Sequence, residues 1–364
     1  MKASILVAAA VLALNGAAVH AADGIPTVGK LERVATFGGA MPTGVAVTEG
    51  GRIFVNFPRW GDDVASSVAE LRDGKPVPYP AAADPFISVQ SVVADGRGRV
   101  WILDTAAPKF SAPQPGGAKL VAVDLATDKV VKTIVFAPDA VLPTTYVNDV
   151  RFDFRAGKEG VAYITDSSLS GPGAIIVLDL ATGKAVRRLD GHPSTSPEAG
   201  FVPAVDGKPM PASFKVASDG IALSPDGATL YYCALSSRRL YAVPTKLLRD
   251  PGVSEAALAL AVRDLGAKGA SDGLEADAGG AVYAGDYEHN AIRKLAAGGT
   301  TWQTIAQAPN LSWPDTFSIG PDGYLYVIAN QLHRQAGFND GRDLRRKPYE
   351  LLRVKIDARP APTK

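Results

Sequence analysis

The chain has 364 residues, of which 46% are hydrophobic, and its 38 Lys and Arg nearly balance 37 Asp and Glu, giving a formal net charge of +1. This hydrophobic content excludes an intrinsically disordered chain, and the near-zero net charge argues against nucleic acid or an anionic membrane surface as a partner. A single cysteine excludes an intramolecular disulfide framework and a zinc site built on cysteines.

The N-terminus has the pattern of a targeting signal. Lys2 precedes an apolar run over residues 4–14, which is too short to span a bilayer, and the sequence Val-His-Ala at 19–21 offers a cleavage point. We therefore predict a secretory signal peptide over residues 1–21, cut near Ala21, and a mature chain that is secreted or periplasmic. No second apolar run of membrane-spanning length follows, so no membrane segment is expected in the mature form.

One pattern then recurs six times along the chain. Each copy has a strand with alternating apolar residues, a turn rich in Asp and Gly, and a second, largely apolar strand. The copies begin at Thr43, Gln90, Asn148, Asp219, Asp272 and Asp315, and consecutive starts lie 43 to 71 residues apart. Strand-rich repeats of about 40 to 50 residues, with loop insertions, are typical of propeller blades.

Two further strands follow in most copies and complete a four-stranded unit. The third strands at 119–125 and 174–180 run into near-identical connections, DLATDK at 124–129 and DLATGK at 179–184. This duplication indicates a repeated hairpin. We predict an all-β fold, a six-bladed β-propeller that forms a single domain over residues 22–364.

The two ends of the chain are expected to meet in one blade. The last copy has no fourth strand after Ile356, whereas residues 30–37 have strand character and precede the first copy. We predict that this N-terminal strand pairs with the C-terminal strand in the last blade. Pairing there closes the ring and removes the exposed edges that an open array of repeats would leave.

Residues 190–215 form the longest insertion between repeats, and they are rich in Pro, Gly and polar residues. Loops of this length in compact folds are often functional. The segment is interpreted either as a lid over one mouth of the propeller or as a surface insertion.

The first positions of the six copies are the strongest candidates for a site. Equivalent positions in a radial repeat meet around the axis, so six polar side chains are expected to ring one end of the channel. Asn148, Asp219 and Asp272 are candidate oxygen ligands for a hard divalent cation such as Ca²⁺. The alternative is that these Asp and Asn residues only cap turns. Because clustered carboxylates repel one another, we expect a cation or a cationic ligand among them.

Other candidates rest on single residues. His289 and His333 follow second strands of two copies and, with Asp272, are weak candidates for a general base; a surface role is the alternative. Trp60, Tyr146 and Trp313 are candidates to line a pocket, against the alternative of core or rim aromatics. The sequence has no G-x-S-x-G elbow, no P-loop and no G-x-G-x-x-G after a strand, so no catalytic residue is assigned.

The sequence resembles the Yellow/major royal jelly protein family. The segments that carry this resemblance are FVNFPRW at 54–60, SVVADGRGRVWILDT at 91–105, YVNDVRFD at 146–153 with AYITDSS at 162–168, SDGIALSPDGATLYYCALSS at 218–237 and LSWPDTFSIGPDGYLYVIANQLHR at 311–334. The resemblance implies a secreted six-bladed β-propeller. It also implies binding of small ligands such as biogenic amines, or dopachrome conversion.

Gluconolactonase-type propellers are related to that family and bind a divalent metal through Glu, Asn, Asn and Asp at strand starts. On the matching positions, Asn148 is kept, Asp219 replaces an Asn, Asp272 matches the Asp, and Thr43 replaces the Glu. The loss of one ligand argues against lactonase activity.

Three functions follow from these observations. The first is binding of a small molecule, such as an aromatic amine, in the central funnel, where carboxylates meet the ammonium and aromatic residues meet the ring. The second is a divalent-metal-dependent lactonase-like hydrolase or isomerase. The third is a protein-interaction scaffold. We favour the first because Thr43 weakens the metal site.

Overall fold

The computed structural model describes residues 27–80 and 84–364, so the predicted signal peptide lies outside the described residues. Within them, 26 strands form six four-stranded antiparallel sheets and one two-stranded hairpin. The sheets are the blades of a six-bladed β-propeller, as the repeats predict. No helix in the described ranges is long and apolar enough to cross a membrane.

The first strand of the described chain, β1 (Leu31–Phe37), belongs to the last blade, and blades 1 to 3 follow it in order. Blade 1 contains β2 (Gly44–Val47), β3 (Ile53–Asn56), β4 (Val68–Arg72) and β5 (Lys75–Pro78). Blade 2 contains β6 (Val89–Ala94), β7 (Arg99–Asp104), β8 (Lys119–Asp124) and β9 (Lys129–Val135). Blade 3 contains β10 (Val147–Asp153), β11 (Val161–Asp166), β12 (Ala174–Asp179) and β13 (Ala185–Arg188).

Blades 4 to 6 complete the ring after the short hairpin of β14 (Ala204–Val205) and β15 (Lys208–Pro209). Blade 4 contains β16 (Ser218–Leu223), β17 (Thr229–Ala234), β18 (Arg239–Pro244) and β19 (Arg263–Ala267), with α1 (Thr245–Arg249) and α2 (Glu255–Ala261) before β19. Blade 5 contains β20 (Leu274–Ala276), β21 (Val282–Asp286), β22 (Ala291–Leu295) and β23 (Trp302–Gln307). Blade 6 contains β24 (Pro314–Ile319), β25 (Tyr324–Ala329), β26 (Tyr349–Lys355) and β1.

Four short 3₁₀ helices lie in the connections, at Pro108–Phe110, Pro193–Thr195, Leu332–Arg334 and Ala336–Phe338. The duplicated hairpin is confirmed in blades 2 and 3. Asp124 accepts hydrogen bonds from the backbone and hydroxyl of Thr127, and Asp179 accepts the same pair from Thr182. The same side-chain geometry therefore sets the turn in both hairpins.

The predicted closure of the ring is confirmed. β1 pairs antiparallel with β26, from Leu31 opposite Val354 to Phe37 opposite Tyr349. Ala35 and Phe37 are buried by this pairing and by the neighbouring blade. The inner strands carry mostly buried side chains on both faces, because each blade packs against two neighbours.

The insertion at 190–215 borders the mouth of the propeller that holds the central cavity. Asp206, at the turn between β14 and β15, accepts hydrogen bonds from His333 and Arg334 of blade 6. The end of the insertion contributes Phe214 and Lys215 to the wall of the central cavity. The segment belongs to the connection before blade 4, and its Asp206 contacts blade 6.

The opposite end of the channel is covered by the C-terminal tail. The Thr363 carbonyl accepts a hydrogen bond from the Phe154 backbone, and the Thr363 hydroxyl donates to the Asp95 carbonyl. The Arg359 carbonyl accepts from the Ala278 backbone. The tail therefore joins blades 2, 3 and 5 across the end at which the inner strands finish.

Removal of residues 357–364 is expected to lower the free energy of unfolding by about 3 kcal/mol, at roughly 1 kcal/mol for each of these three hydrogen bonds. Urea denaturation of the truncated and full chains measures the difference. Thr363→Val, which removes only the hydroxyl bond to Asp95, is the smaller matched change and should cost about 1 kcal/mol. Equal midpoints for all three proteins would contradict a bracing role for the tail.

Candidate functional site

A cavity of about 400 Å³ lies at the end of the channel where the inner strands begin. This volume is in the range of small-molecule pockets. Seven of the nine residues predicted to contact a ligand line it, and they come from all six blades: Trp60, Gln90, Tyr146, Asn148, Asp219, Asp272 and Asp315. The register of the repeats therefore brings together side chains that are far apart in the sequence.

The other two predicted residues lie behind the wall of the cavity. The Thr43 side chain is fully buried; its hydroxyl donates to the Gln90 carbonyl over 3.3 Å and accepts from the Asn56 amide over 2.9 Å. Trp313 is also fully buried, and its indole Nε1 donates to Asp272 Oδ2 over 2.7 Å. Both residues support the lining residues from behind.

Trp313 stacks against two neighbouring rings. Its ring lies 4.1 Å from that of Tyr287 and 5.6 Å from that of His333, each nearly parallel. Its backbone has a φ of 59°, which is unusual for a bulky side chain. Such a conformation persists only when the surroundings impose it. Because the packed indole donates to Asp272, Trp313 holds that carboxyl in place.

Three buried carboxyl groups from blades 4, 5 and 6 form one side of the cavity. The side chains of Asp219 and Asp272 are hydrogen-bonded to each other, and Asp219 Oδ2 also accepts from the Ser167 hydroxyl over 2.9 Å. Asp315 accepts hydrogen bonds from the Thr316 hydroxyl and from the Asn330 amide. Within the described ranges none of the three carboxyls forms an ion pair.

Burial and mutual repulsion disfavour ionisation of these groups. Burial, followed by the charge of Asp272, raises the pKa of Asp219 and the pKa of Asp315 well above their usual range. Burial raises the pKa of Asp272 to about 6, although the hydrogen bonds from Trp313 and Asp219 oppose the shift. Asp219 and Asp272 therefore titrate as a coupled pair, and the protonated form of Asp219 is favoured. The expected cluster of repelling carboxylates is present.

The opposite side of the cavity carries neutral amides. The Asn148 side chain is only 7% exposed, and no hydrogen bond to its amide is found among residues 27–80 and 84–364. Gln90 is equally buried; its Oε1 accepts from the Tyr146 hydroxyl over 2.9 Å. The Tyr146 oxygen in turn accepts from Trp60 Nε1 over 2.7 Å. The cavity is therefore acidic on one side and amide-lined on the other.

Aromatic side chains that the sequence analysis missed complete the walls. Phe110 stacks on Trp60 with 4.7 Å between ring centroids and lies 5.1 Å from Tyr146. Phe214 and Phe338 meet edge to face at 5.6 Å on another part of the lining. These residues lie in connections, outside the repeated strand pattern, and only their aromatic character beside the predicted mouth could have indicated them.

Two lysines also line the cavity, and both are exposed. Neither Lys109 nor Lys215 forms an ion pair within the described part of the chain. They place positive charge at the rim, away from the buried carboxyls.

Neither histidine candidate lines the cavity. The His289 side chain is 65% exposed and bonds to Asp286 over 2.8 Å. His333 is buried behind Trp313, with its Nε2 2.9 Å from Asp206 Oδ2. Of the three weak candidates for a general base, only Asp272 faces the cavity.

The lining does not fit a resident divalent cation of the expected kind. Asn148, Asp219 and Asp272 all face the cavity, whereas Thr43, at the fourth position of the expected set, does not. The Thr43 hydroxyl is directed to backbone and Asn56 instead of the cavity. Among the residues that the structure describes, no group of three His, Cys, Asp or Glu side chains is arranged to hold a metal ion.

The ring of six blades and the cavity at one mouth define the chain as a six-bladed β-propeller with a pocket lined by carboxyl, amide and aromatic side chains. The model of the family described as "Major royal jelly protein" matches residues 87–362. The chain therefore belongs to the major royal jelly protein family, as the resemblance of its segments predicted.

Relatives agree with this assignment. Protein yellow of Drosophila erecta is 27% identical over 243 residues, which cover 58% of this chain and 42% of that protein. The match thus spans less than half of the relative's length.

Solved structures share the fold at low identity. Regucalcin from Agrobacterium tumefaciens, described as a calcium-binding protein, has a TM-score of 0.57 at 18% identity and covers 92% of this chain and 96% of that one. A gluconolactonase from Xanthomonas campestris has a TM-score of 0.57 at 12% identity and covers 90% and 89%. At these identities the likeness shows the propeller fold alone.

Proposed function

We propose that this protein binds a small molecule carrying an ammonium group, and specifically an aromatic amine, in the cavity at the mouth of the propeller. The observation that carries this proposal is the convergence of Asp219, Asp272 and Asp315, three buried carboxyls without an ion pair in the described structure. Buried carboxylates are stabilised by a cationic partner, and an ammonium supplies both the charge and hydrogen-bond donors.

The aromatic lining supports an aromatic rather than an aliphatic amine. Phe110, Trp60 and Phe214 present ring faces and edges to the same cavity as the carboxyls. Stacked or edge-to-face contacts stabilise aromatic pairs beyond the burial of their area. The family resemblance, which implies ligands such as biogenic amines, points in the same direction. We also propose a secreted or periplasmic location for the mature chain, on the basis of the predicted signal peptide.

Asp219→Asn is expected to weaken the binding of tyramine about tenfold, because a charge-assisted hydrogen bond in a buried site is lost. Isothermal titration calorimetry of the purified mature chain with tyramine measures the change. Asp264→Asn is the matched control, since Asp264 is exposed and pairs with Arg239 outside the cavity. Equal affinity for tyramine in the wild type and Asp219→Asn would contradict the proposal.

The alternative functions predict different results in the same experiment. A divalent-cation-dependent hydrolase or isomerase would bind Ca²⁺ saturably, and Asn148→Ala would abolish that binding. We expect Ca²⁺ neither to raise the melting temperature nor to displace tyramine, because the Thr43 hydroxyl is directed away from the cavity and the described Asp, Glu, His and Cys side chains form no group of three arranged for a metal ion. A chain that binds neither Ca²⁺ nor amines would favour the protein-interaction scaffold.

A further inference from the structure

The connection between β7 and β8 forms a compact loop beside the cavity. Residues 107–117, which we call the flap, leave blade 2 and return to it at adjacent points, because the Gln114 backbone donates to the Ala106 carbonyl over 2.9 Å. Three prolines within the flap restrict its own backbone. The flap therefore has the form of an Ω-loop, with a stiff arm on a narrow base.

The backbone of the flap is strained in its present position. Ala106 at the base has a φ of 53°, and Lys109 and Phe110 in the arm have φ values of 55° and 57°. Left-handed conformations are unfavourable for all three residue types, and they persist only where contacts impose them. At the other end of the loop, Gly116 adopts its φ of 68° freely and has open space around it, which suits a hinge.

Few contacts hold the flap against its neighbours. The Lys109 backbone donates to the Arg59 carbonyl over 2.9 Å, and in the described part of the chain this is the one hydrogen bond from the flap to another blade. The Phe110 ring stacks on Trp60 at 4.7 Å and lies 5.1 Å from Tyr146. This ring is nevertheless 38% exposed. One backbone hydrogen bond and one ring therefore oppose the strain.

The insertion at 190–215, which borders the same mouth, is attached more firmly. Asp206 accepts hydrogen bonds from two side chains of blade 6, and the Ala204 backbone donates to Glu288 of blade 5 over 2.8 Å. Val205, between these two anchors, is buried in the core. Because local opening begins where buried contacts are fewest, we expect the flap to open far more readily than the insertion.

Phe110 connects the position of the flap to the contents of the cavity. Its ring lines the cavity together with Trp60 and Tyr146. An aromatic ligand beside this ring gains a contact that exists only while the flap is docked against the two neighbouring blades. A ligand that contacts one of two positions of a segment shifts the equilibrium toward that position.

We propose that the flap moves between the docked position of this structure and an undocked position, and that an aromatic ligand in the cavity holds it docked. Phe110 thereby slows the release of the ligand, as closing loops do at other binding sites. The choice of ligand rests on the proposed function, whereas the movement of the flap in the free protein does not.

Hydrogen exchange at two amides tests the movement. The Lys109 amide bonds to Arg59 only while the flap is docked, and the Ala204 amide, bonded to Glu288, is the matched reference. In the free mature chain, Lys109 should exchange about a hundredfold faster than Ala204 after correction for intrinsic rates. Saturating tyramine should slow the exchange of Lys109 about tenfold and leave that of Ala204 unchanged. Residue-resolved NMR measures both rates.

Two truncations of phenylalanine in the lining separate the flap from a general effect on the cavity. In Phe110→Ala, tyramine should no longer slow exchange at Lys109, and the dissociation rate of tyramine should rise about tenfold. Phe338→Ala removes the same ring from a part of the lining outside the flap. It should also weaken tyramine binding, but bound tyramine should still slow exchange at Lys109. Stopped-flow displacement measures the dissociation rates.

The outcomes distinguish this inference from the proposed function. Exchange at Lys109 as slow as at Ala204 in the free protein would show that the flap does not undock. Tyramine that binds without slowing Lys109, or slows it equally in Phe110→Ala, would overturn the coupling while amine binding stands. Absence of tyramine binding would overturn the proposed function, and the free protein alone would then decide whether the flap moves. Slowing in the wild type and in Phe338→Ala, but not in Phe110→Ala, supports the inference.

Discussion

The affinity for an aromatic amine should rise about fivefold between about pH 5 and pH 6 and level off above about pH 7. Burial raises the pKa of Asp272 to about 6, so this group is protonated in the free protein at the acidic end of the range. An ammonium binds the ionised carboxylate, and binding at low pH must therefore release a proton. The ammonium itself stays charged, as the ammonium of lysine does with its pKa of about 10.4.

The free protein should show the opposite dependence on pH. A carboxyl whose pKa is raised by folding binds more protons in the folded than in the unfolded state between the two pKa values. The free energy of unfolding contributed by Asp272 therefore falls as the pH rises from about 4 to about 6. The raised pKa of Asp219 and of Asp315 adds to this loss in the same direction. Bound amine should offset this loss of stability, so the increase in the free energy of unfolding caused by the amine should grow with pH.

Calorimetry with tyramine at several pH values, in two buffers of different ionisation enthalpy, gives both the affinity and the number of protons released. Asp272→Asn removes one titrating group and should flatten the profile, whereas the exposed Asp264→Asn should not. An affinity that is constant or falls with rising pH would show that the carboxyl pair does not bind the cation.

The register of the repeats accounts for most of what the sequence could predict. Alternation of apolar residues locates each inner strand, and identical geometry in every blade then places the start of each strand at one mouth. For this reason Gln90, Asn148, Asp219, Asp272 and Asp315 could be brought together from a sequence in which they span more than half the chain.

The rest of the site depends on contacts that the repeat pattern does not contain. Phe110 and Phe214 belong to connections whose path depends on packing, not on strand alternation. Thr43 begins its repeat as predicted, but Asn56 and the Gln90 carbonyl hold its hydroxyl behind the wall. Trp313 lies behind Asp272 instead of beside the ligand space for a similar reason, since its indole bonds to that carboxyl. Such orientations follow from tertiary hydrogen bonds.

The protonation of the Asp219 and Asp272 pair also lies beyond the sequence. The sequence predicted repulsion among the aspartates, but two outcomes were consistent with it, a bound cation or a retained proton. The hydrogen bond between the carboxyls and the placement of Trp313 behind Asp272 favour the retained proton in the free protein. Under the proposed function, we expect a cationic ligand to displace this proton.

Deletion of residues 27–39, which contain β1, should abolish cooperative unfolding. β1 is the outer strand of blade 6, and the pairs from Leu31–Val354 to Phe37–Tyr349 join the two ends of the chain. Without it, β26 becomes an exposed edge, and Ala35 and Phe37 no longer fill their places in the core. The expected loss in the free energy of unfolding exceeds about 5 kcal/mol, which is comparable to the whole stability of many domains.

Complementation in trans makes this prediction specific. A peptide of residues 27–39 added to the truncated chain should restore a cooperative thermal melt and tyramine binding, because the strand can pair with β26 from outside. The same peptide with Ala35→Pro should fail, since proline at a buried, paired position removes a donor and disturbs the ladder. A cooperative melt of the truncated chain without any peptide would show that the ring closes by other contacts, and that the cavity does not depend on the meeting of the two chain ends.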